Sequence, residues 1–468
     1  MLMINPFVNP YNIYFLLRSL VSDPKRIFRF KPEKIKRYQD KQFRKLVKYA
    51  YTVPLYHKKY KEAGIHPRDI KGIGEIKKLP FISKQDIMNG YPDDIIPKKC
   101  NKKREYLICT GGTTGKPISL FTDFKLMTRN VSLFLRDLAF HEIDFRHARV
   151  SHLGNFSTGR IDLVAEKYYG SYLKKFYQRS FTLNIDVNNP IKEILDKLDR
   201  FRPKVIYSYP TIFQHLAYFK RKGYAKNLKP KVLLCSGAML DDYTRSYVED
   251  AFNCKLLNFY SSVEATGVIA MECKYHNWHI YSDYHYLESI NDNNKISPPR
   301  NLGHMVLTRL SIGGTPMIRY TGMDDWIKLG SNKKCKCGLN TLVIERLEGR
   351  KKANIILPNG KIFPPGAFCF INPVLHKLKT FKVKKYQIIQ RKINEIEILL
   401  EIDEELKDKE PSFELIAKKI KEIYKAKTGP DVKIIVRKVD KIVNKENKRK
   451  PAPIVLSYIN HKKALKTL

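Results

Sequence analysis

Cys109-Thr110-Gly111-Gly112-Thr113-Thr114-Gly115-Lys116-Pro117 is the stretch on which the reading of this chain turns. Its glycines let the backbone turn tightly and bring N–H groups close to an anion, its threonines add hydroxyl donors, and its lysine adds charge. That combination suits phosphates, although a Gly/Thr-rich surface turn is the alternative for the loop taken alone. A Walker A loop needs Gly-x-x-x-x-Gly-Lys followed by Ser or Thr. Here the residue five before Gly115 is Thr110, and Lys116 is followed by Pro117. Pro117 offers neither a hydroxyl for Mg²⁺ nor an N–H for the cradle, so the P-loop reading fails.

Other segments follow the loop in order. Asn258-Phe259-Tyr260-Ser261-Ser262-Val263-Glu264 is an apolar run ending in a carboxylate, the pattern of a buried strand that delivers an acid to a site at its carboxyl end. Then come Gly314-Thr315-Pro316-Met317-Ile318-Arg319-Tyr320-Thr321-Gly322-Met323-Asp324-Asp325, Arg346-Leu347-Glu348-Gly349-Arg350-Lys351-Lys352, and Asn447-Lys448-Arg449-Lys450-Pro451. In order and spacing these motifs resemble those of the adenylate-forming superfamily, and within it the phenylacetate–CoA ligase and CapK-like branch, which also contains the coenzyme F390 synthetases. The flanks, Gln42 to Ala50, Val53 to Tyr56, Leu79-Pro80, Lys84 and Arg202 to Pro210, are similar to that branch too.

The resemblance implies an α/β fold: a large N-terminal AMP-binding domain with parallel sheets over residues 1–350, and a small α+β C-terminal lid over 351–468 that moves about a hinge at Lys352. It implies that a small carboxylic acid is activated by ATP and Mg²⁺ as an acyl-adenylate and passed to CoA. The alternative is an adenylyl transferase of the F390-synthetase or capsule-biosynthesis kind, acting on another acceptor. By resemblance, Thr110, Gly111, Gly112, Thr113, Thr114, Gly115 and Lys116 hold the β- and γ-phosphates, and Glu264 ligates Mg²⁺. Tyr260 lies along the adenine or acyl group, Asp324 or Asp325 takes the ribose, and Arg346 or Arg350 sits beside the ribose and α-phosphate. Lys448 is the catalytic lysine, with Lys445 and Lys450 as alternatives of register. Ser261 stands where glycine is common, Val263 where threonine is common and Ala238 where Glu is common. An acyl pocket is expected from Asn155 to Arg160, Ser236 to Met239 and Tyr260 to Ser262.

Composition sets outer limits. A chain of 468 residues with 43% hydrophobic content expects more than one globular domain. The N-terminal apolar segment is broken by Pro6, Pro10 and Arg18, so neither a membrane span nor a signal peptide is read, and a cytoplasmic location is expected. With Lys+Arg at 88 against Asp+Glu at 46, the net charge of +42 favours anionic partners. Lysine is spread along the whole chain without an RNA-binding or zinc-finger signature, so no specific nucleic acid is predicted. An apolar stripe of Ile13, Phe15, Leu16, Leu17 and Leu20 beside Lys25, Arg26 and Arg29 fits peripheral membrane docking, but packing on the body is the reading preferred.

Residues 33–63 read as helix, and short apolar runs (Glu105 to Cys109, Val205 to Tyr207, Val232 to Cys235, Leu256 to Tyr260) alternating with helical segments read as a parallel α/β sheet. Past Arg350, Lys385 to Gln390, Glu395 to Ile402 and Val432 to Val439 read as strands, and Ser412 to Lys427 as a helix. Cys335-Lys336-Cys337-Gly338, with Cys273 and His279 upstream, offers three thiolates and an imidazole, a structural zinc set. Reduced cysteines without a metal are the alternative, and His276 is the reserve ligand. Cys109, Cys235, Cys254 and Cys369 read as buried thiols.

Overall fold

The computed structural model describes residues 10, 13, 14, 30–100, 105–110, 118–144, 148–154, 182–298, 300–330, 335–350, 353–380, 382–404, 406–443 and 454–459. Its N-terminal layer holds α1 (Pro32–Ala50), α2 (Pro54–Glu62) and α3 (Lys84–Gly90). The single helix expected over 33–63 is two, because Val53 precedes Pro54 and is held extended (φ −95°, ψ 126°), outside the helical region. In α1 the stripe Phe43, Leu46, Val47 and Ala50 is buried against the body.

A hairpin of β1 (Tyr106–Cys109) and β2 (Ser119–Thr122) follows, and then α4 (Phe124–Phe140), whose first turn is capped by Asp123 accepting the Leu126 N–H at 2.7 Å. The parallel unit comprises β3 (Val150–Gly154), β4 (Thr182–Asp186), α5 (Ile191–Phe201), β5 (Val205–Ser208), α6 (Pro210–Arg221), β6 (Val232–Ser236), α7 (Asp242–Phe252) and β7 (Lys255–Ser262). Chain direction then changes. β8 (Gly267–Glu272), β9 (Trp278–Ile280), β10 (His285–Ile290), β11 (Leu302–Arg309), β12 (Asp325–Leu329) and β13 (Val343–Arg350) continue the same sheet with antiparallel pairing. Its eleven strands run β10-β11-β12-β13-β9-β8-β7-β6-β5-β3-β4.

The α/β class is as expected, and within the eleven-stranded sheet parallel pairing is confined to the run β4-β3-β5-β6-β7. Helical crossovers join β5, β6 and β7, as parallel neighbours require, whereas the turn between β7 and β8 is too short for a crossover and reverses the strand. One further expectation is corrected. Glu105 to Cys109 is not a strand of the parallel sheet: among the described residues β1 pairs with β2 alone, antiparallel, in a two-stranded ribbon. A ribbon covers one of its faces at most, so Leu107 is 48% exposed and Cys109, expected to be buried, is exposed.

After β14 (Ile355–Ile356) and β15 (Ile362–Phe363) comes α8 (Ile371–Lys377), followed by a four-stranded sheet in the order β18-β17-β16-β19. It is made of β16 (Val383–Lys392), β17 (Glu395–Ile402), β18 (Lys433–Val439) and β19 (Val455–Ser457), with α9 (Phe413–Thr428) as the crossover between β17 and β18. Ser412 caps α9 by accepting the Leu415 N–H, and Gly429 ends it at φ 89°. Ile388, Ile396, Ile398, Leu400, Ile416, Ile420 and Tyr424 form a core there, to which Tyr243 of α7 is added from outside.

A buried ion pair on the large sheet holds a guanidinium that also grips the N-terminal layer. Arg319 Nη2 and Nε meet the Glu288 carboxylate at 3.0 and 3.1 Å, and Nη1 donates to the Leu79 carbonyl at 2.7 Å. Burial pushes the Glu288 carboxyl up, and Arg319 pulls it back. Breaking a buried pair from one side strands the other charge. Glu288→Ala should therefore lose about 3–5 kcal/mol of stability, and Glu288→Leu with Arg319→Met should recover much of it. Urea unfolding reads both, and an unchanged midpoint for Glu288→Ala would show that the pair does not hold the layers together.

Candidate active site and metal centre

The carboxyl ends of β3, β5, β6 and β7 open on one edge of the parallel unit, where ligands bind in sheets of this kind. His152 and Tyr207 are register partners there, with ring centroids 4.9 Å apart. The Tyr207 hydroxyl shares a hydrogen bond with Ser236 Oγ, and its ring lies 6.4 Å from Phe259. Ser236 was within the expected acyl pocket; His152 carried no motif, and Tyr207, within the run Arg202 to Pro210, carried no assigned role. Their only signal was place, each falling within two residues of a strand's carboxyl end. The chain turns sharply after Ser236 because Gly237 adopts φ +79°, and a Cβ there would lie 3.1 Å from the Tyr209 ring; Ala238 follows.

Tyr260, on β7, donates its hydroxyl to Asp325 Oδ2 at 2.5 Å and approaches Met305 Sδ at 3.5 Å. Asp325 opens β12 opposite Arg350, the last residue of β13. Asp324, just before it, is held in the left-handed region at φ 58°. Glu264 lies in the turn between β7 and β8, which is closed by the Thr266 N–H on the Val263 carbonyl at 2.9 Å and by the Ala265 N–H on Ser262 Oγ at 3.0 Å. Both Glu264 and Asp324 act on the Tyr320 hydroxyl, whose pKa is raised by burial first and then by these carboxylates. Tyr260, Glu264, Asp324 and Asp325 are therefore gathered at one seam. Arg346 is not gathered with them: opposite Lys328 on β12, its side chain is 62% exposed and pairs with Glu348 at 2.8 Å.

Thr110 stands at the end of β1, where the glycine- and threonine-rich segment begins. Its N–H donates to the Ile118 carbonyl and its Oγ1 accepts the Ile118 N–H, each at 2.9 Å, so the hydroxyl clasps the ends of the hairpin. Gly111, Gly112, Thr113, Thr114, Gly115 and Lys116 lie outside the described residues, as do Asn155 to Arg160, Lys352, Lys445, Lys448 and Lys450.

Cys273, His279, Cys335 and Cys337 converge, their ligand atoms all within 4.8 Å of one another. Cys273 follows β8 and His279 lies on β9, while the C-x-C turn closes through the Gly338 N–H on the Cys335 carbonyl at 3.0 Å. The Cys273 and Cys335 sulfurs are 3.9 Å apart, and His279 Nε2 is 3.2 Å from Cys337 Sγ. A tetrahedral zinc with Zn–S of about 2.3 Å needs sulfur–sulfur edges of about 3.8 Å, so the donor set fits. Thr341 Oγ1, 3.1 Å from His279 Nδ1, fixes the ring with Nε2 toward the cysteines. His276, the reserve ligand, is turned away: its Nδ1 is 2.9 Å from Arg245 Nη1, in a cluster with Glu272 and Glu249. Cys235 is buried as expected, while Cys254 and Cys369 are partly so.

No protein-family model matches the chain. A phenylacetate-coenzyme A ligase of Thermus thermophilus is 25% identical to it over 392 residues, 80% of this chain and 82% of that protein. A second, of Pseudomonas putida, is 28% identical over 303 residues, covering 62% and 66%. Protein CapK of Staphylococcus aureus is 24% identical over 303 residues, 59% of each chain. Among solved structures, a 2-hydroxyisobutyryl-CoA ligase in its postadenylation state shares the fold at a TM-score of 0.74 and 17% identity, over 95% of this chain and 94% of that one. An anthranilate CoA ligase does so at 0.51 and 13%, over 83% and 76%. In sequence the chain is thus similar to the phenylacetate-coenzyme A ligases and CapK, and its fold is that of the CoA ligases with which it superposes.

Proposed function

We propose that this protein is an AMP-forming acid–CoA ligase, which joins a carboxylic acid to ATP as an acyl-adenylate and passes the acyl group to CoA. The observation that carries the reading is the seam itself: Tyr260 bonded to Asp325, with Glu264 and Asp324 beside it, at the carboxyl ends of the parallel strands. A carboxylate is too poor an electrophile for a thiol, so its oxygen first attacks the α-phosphate and pyrophosphate leaves. In that step the protein positions the partners and neutralises charge. Lys116 and the loop threonines hold the β- and γ-phosphates. Glu264 supplies a carboxylate to Mg²⁺, which neutralises phosphate charge when bound. Asp324 takes the ribose hydroxyls, because Asp325 is engaged by Tyr260. Arg350 lies nearer the ribose than Arg346, since Arg350 is the register partner of Asp325.

Lys448 is the lysine that faces the α-phosphate, carried on a lid of residues 351–468 that turns about Lys352 to bring CoA to the adenylate. The fold comparison supports an adenylation-side arrangement: the TM-score is 0.74 against the postadenylation state of the 2-hydroxyisobutyryl-CoA ligase and 0.59 against its thioesterification state, over the same shares of both chains. Cys273, His279, Cys335 and Cys337 hold a structural zinc, which joins β8, β9 and the approach to β13.

Screening acids by ATP-dependent pyrophosphate release tests the reading, and AMP release that depends on CoA identifies the acceptor. Pyrophosphate release without thioester formation would move the acceptor elsewhere. Lys116→Ala and Glu264→Gln should each weaken pyrophosphate release; full activity in Glu264→Gln would remove that residue from the site. Lys448→Ala should slow adenylate formation at a cost of about 3 kcal/mol or more, yet still consume a synthetic acyl-adenylate in the thiol step. Equal damage to both half-reactions would rule out a lid that moves this lysine away.

The zinc has its own readout. Purified protein should carry about one equivalent by elemental analysis, and Cys335→Ser should lower both metal content and melting temperature. Metal-free protein with the same melting temperature would leave these residues as unmetallated thiols.

A further inference from the structure

Thr211, His215 and Tyr218 follow one another at helical spacing and form a stripe along α6. The stripe faces the C-terminal unit, for the Tyr218 hydroxyl donates to Asp403 Oδ1 at 3.2 Å, and Asp403 directly follows β17. The last residues of β17, Glu401 and Ile402, are register partners of Lys385 and Val383 on β16. His215, one turn from Tyr218, therefore lies against the start of that strand, and Lys385 and Lys384 are the charges that act on it.

Positive charge is in excess around this seam. Lys385 and Lys384 share one carboxylate, Glu401, at 3.9 and 3.8 Å, and its Oε2 also accepts the Ile442 N–H at 2.7 Å. Lys441 acts on Lys385 as well. On the helical side the neighbouring titratable groups are Tyr247 of α7, which acts on Tyr218, and Lys222, whose Nζ is 4.5 Å above the Tyr218 ring. His215 Nε2 is buried without a hydrogen-bond partner. A buried polar atom in that condition calls for an explanation. Burial first, and then Lys385 and Lys384, pull the His215 pKa down to about 3, so the imidazole is neutral here. An apolar side chain would fill the same place at every pH, whereas a histidine fits only while uncharged.

We propose that His215 makes the seam between α6 and the C-terminal unit sensitive to protons: the unit stays docked while the imidazole is neutral and separates when it takes one up. The inference concerns the seam alone and stands whether or not the protein is a ligase. Once exposed, a histidine titrates near about 6.5. Docking thus excludes a proton. It is at full strength above that pH and is lost as pH falls below it, by about ten-fold between about pH 7.5 and 5.5.

A native thiol reads the seam. Burial pushes the Cys369 thiol up, and Asp241, which caps α7, and Glu348 of β13 act on it from the other side. The test is the labelling rate of Cys369 in the full-length protein by an aromatic disulfide, resolved by mass spectrometry and divided at each pH by the rate of the unfolded chain. That ratio follows the opening of the seam even where the open form is rare. It should rise about ten-fold from about pH 7.5 to 5.5 in the wild type and stay level in His215→Leu. Cys235, buried in β6, is the internal control and should not change. A level wild type overturns the proposal. So does a rise that survives in His215→Leu, which would place the titrating group elsewhere, or one shared by Cys235, which would mean that acid loosens the whole protein. If His215→Leu does not fold, His215→Gln, polar and uncharged, is read in the same way against the same two outcomes.

Discussion

Everything at the site depends on a reversal of chain direction between β7 and β8. From β5 to Ser262 the strands run parallel with helices between them, so their carboxyl ends, with the backbone groups and side chains they carry, collect on one edge. Beyond Gly267 the pairing is antiparallel, which sends β11 and β12 back past the same edge with Arg309, Asp324 and Asp325 at their ends. A wholly parallel sheet would place those residues behind further helices. The four-residue turn at 263–266 is short enough that Glu264 is presented at the seam itself.

Charge is distributed in two ways in this chain. The surplus that makes the net charge +42 comes from lysines and arginines spread along the whole sequence, and an exposed ion pair among them contributes little, typically less than about 1 kcal/mol. Inside, each deep cation has a defined structural duty. Arg319 joins the N-terminal helices to β10, Arg245 joins α7 to the end of β8 through Glu272 at 2.7 Å, and Arg136 joins α4 to Asp283 at 2.8 Å. Arginine serves there because its planar fork meets a carboxylate with two parallel N–H bonds, a geometry the single nitrogen of a lysine does not offer. The surface excess raises the local concentration of anions, and the interior cations fix the geometry that meets them.

Much of this was legible from the chain. The motifs with glycine, hydroxyl and carboxylate residues at fixed offsets pointed to the seam because such residues are costly or strained unless a ligand or a turn needs them. Helix ends marked by Ser412, Gly429 and Pro430 were readable because capping is local chemistry. The failures are non-local. Glu105 to Cys109 has the composition of a buried strand, and nothing within those residues says that its partner is the next strand and not the main sheet. Val53-Pro54 was hidden because apolar spacing continues through it, though the residue before a proline leaves the helical region. His276 and His279 are equally good ligands on paper; only the strand partner of β9, which sets His279 opposite Val343, decides between them. His152 and Tyr207 meet across two strands far apart in sequence, so no spacing rule reaches them.

On the proposed mechanism the C-terminal unit must leave this arrangement between the two half-reactions, and the contacts it makes here belong to one orientation. Tyr243 on α7 enters the core of the small sheet and donates its hydroxyl to the Thr380 carbonyl at 2.9 Å, while Tyr218 on α6 reaches Asp403 at 3.2 Å. A buried aromatic anchor is a large part of what holds two packed units together. Turning the lid exposes that ring unless the second orientation covers it again. The free energy between the two arrangements is therefore small only if the ATP-bound and CoA-bound faces each compensate for what the other loses. On that mechanism Tyr243 and Tyr218 bear on the balance from outside the seam, because the contacts they make here are lost when the unit turns.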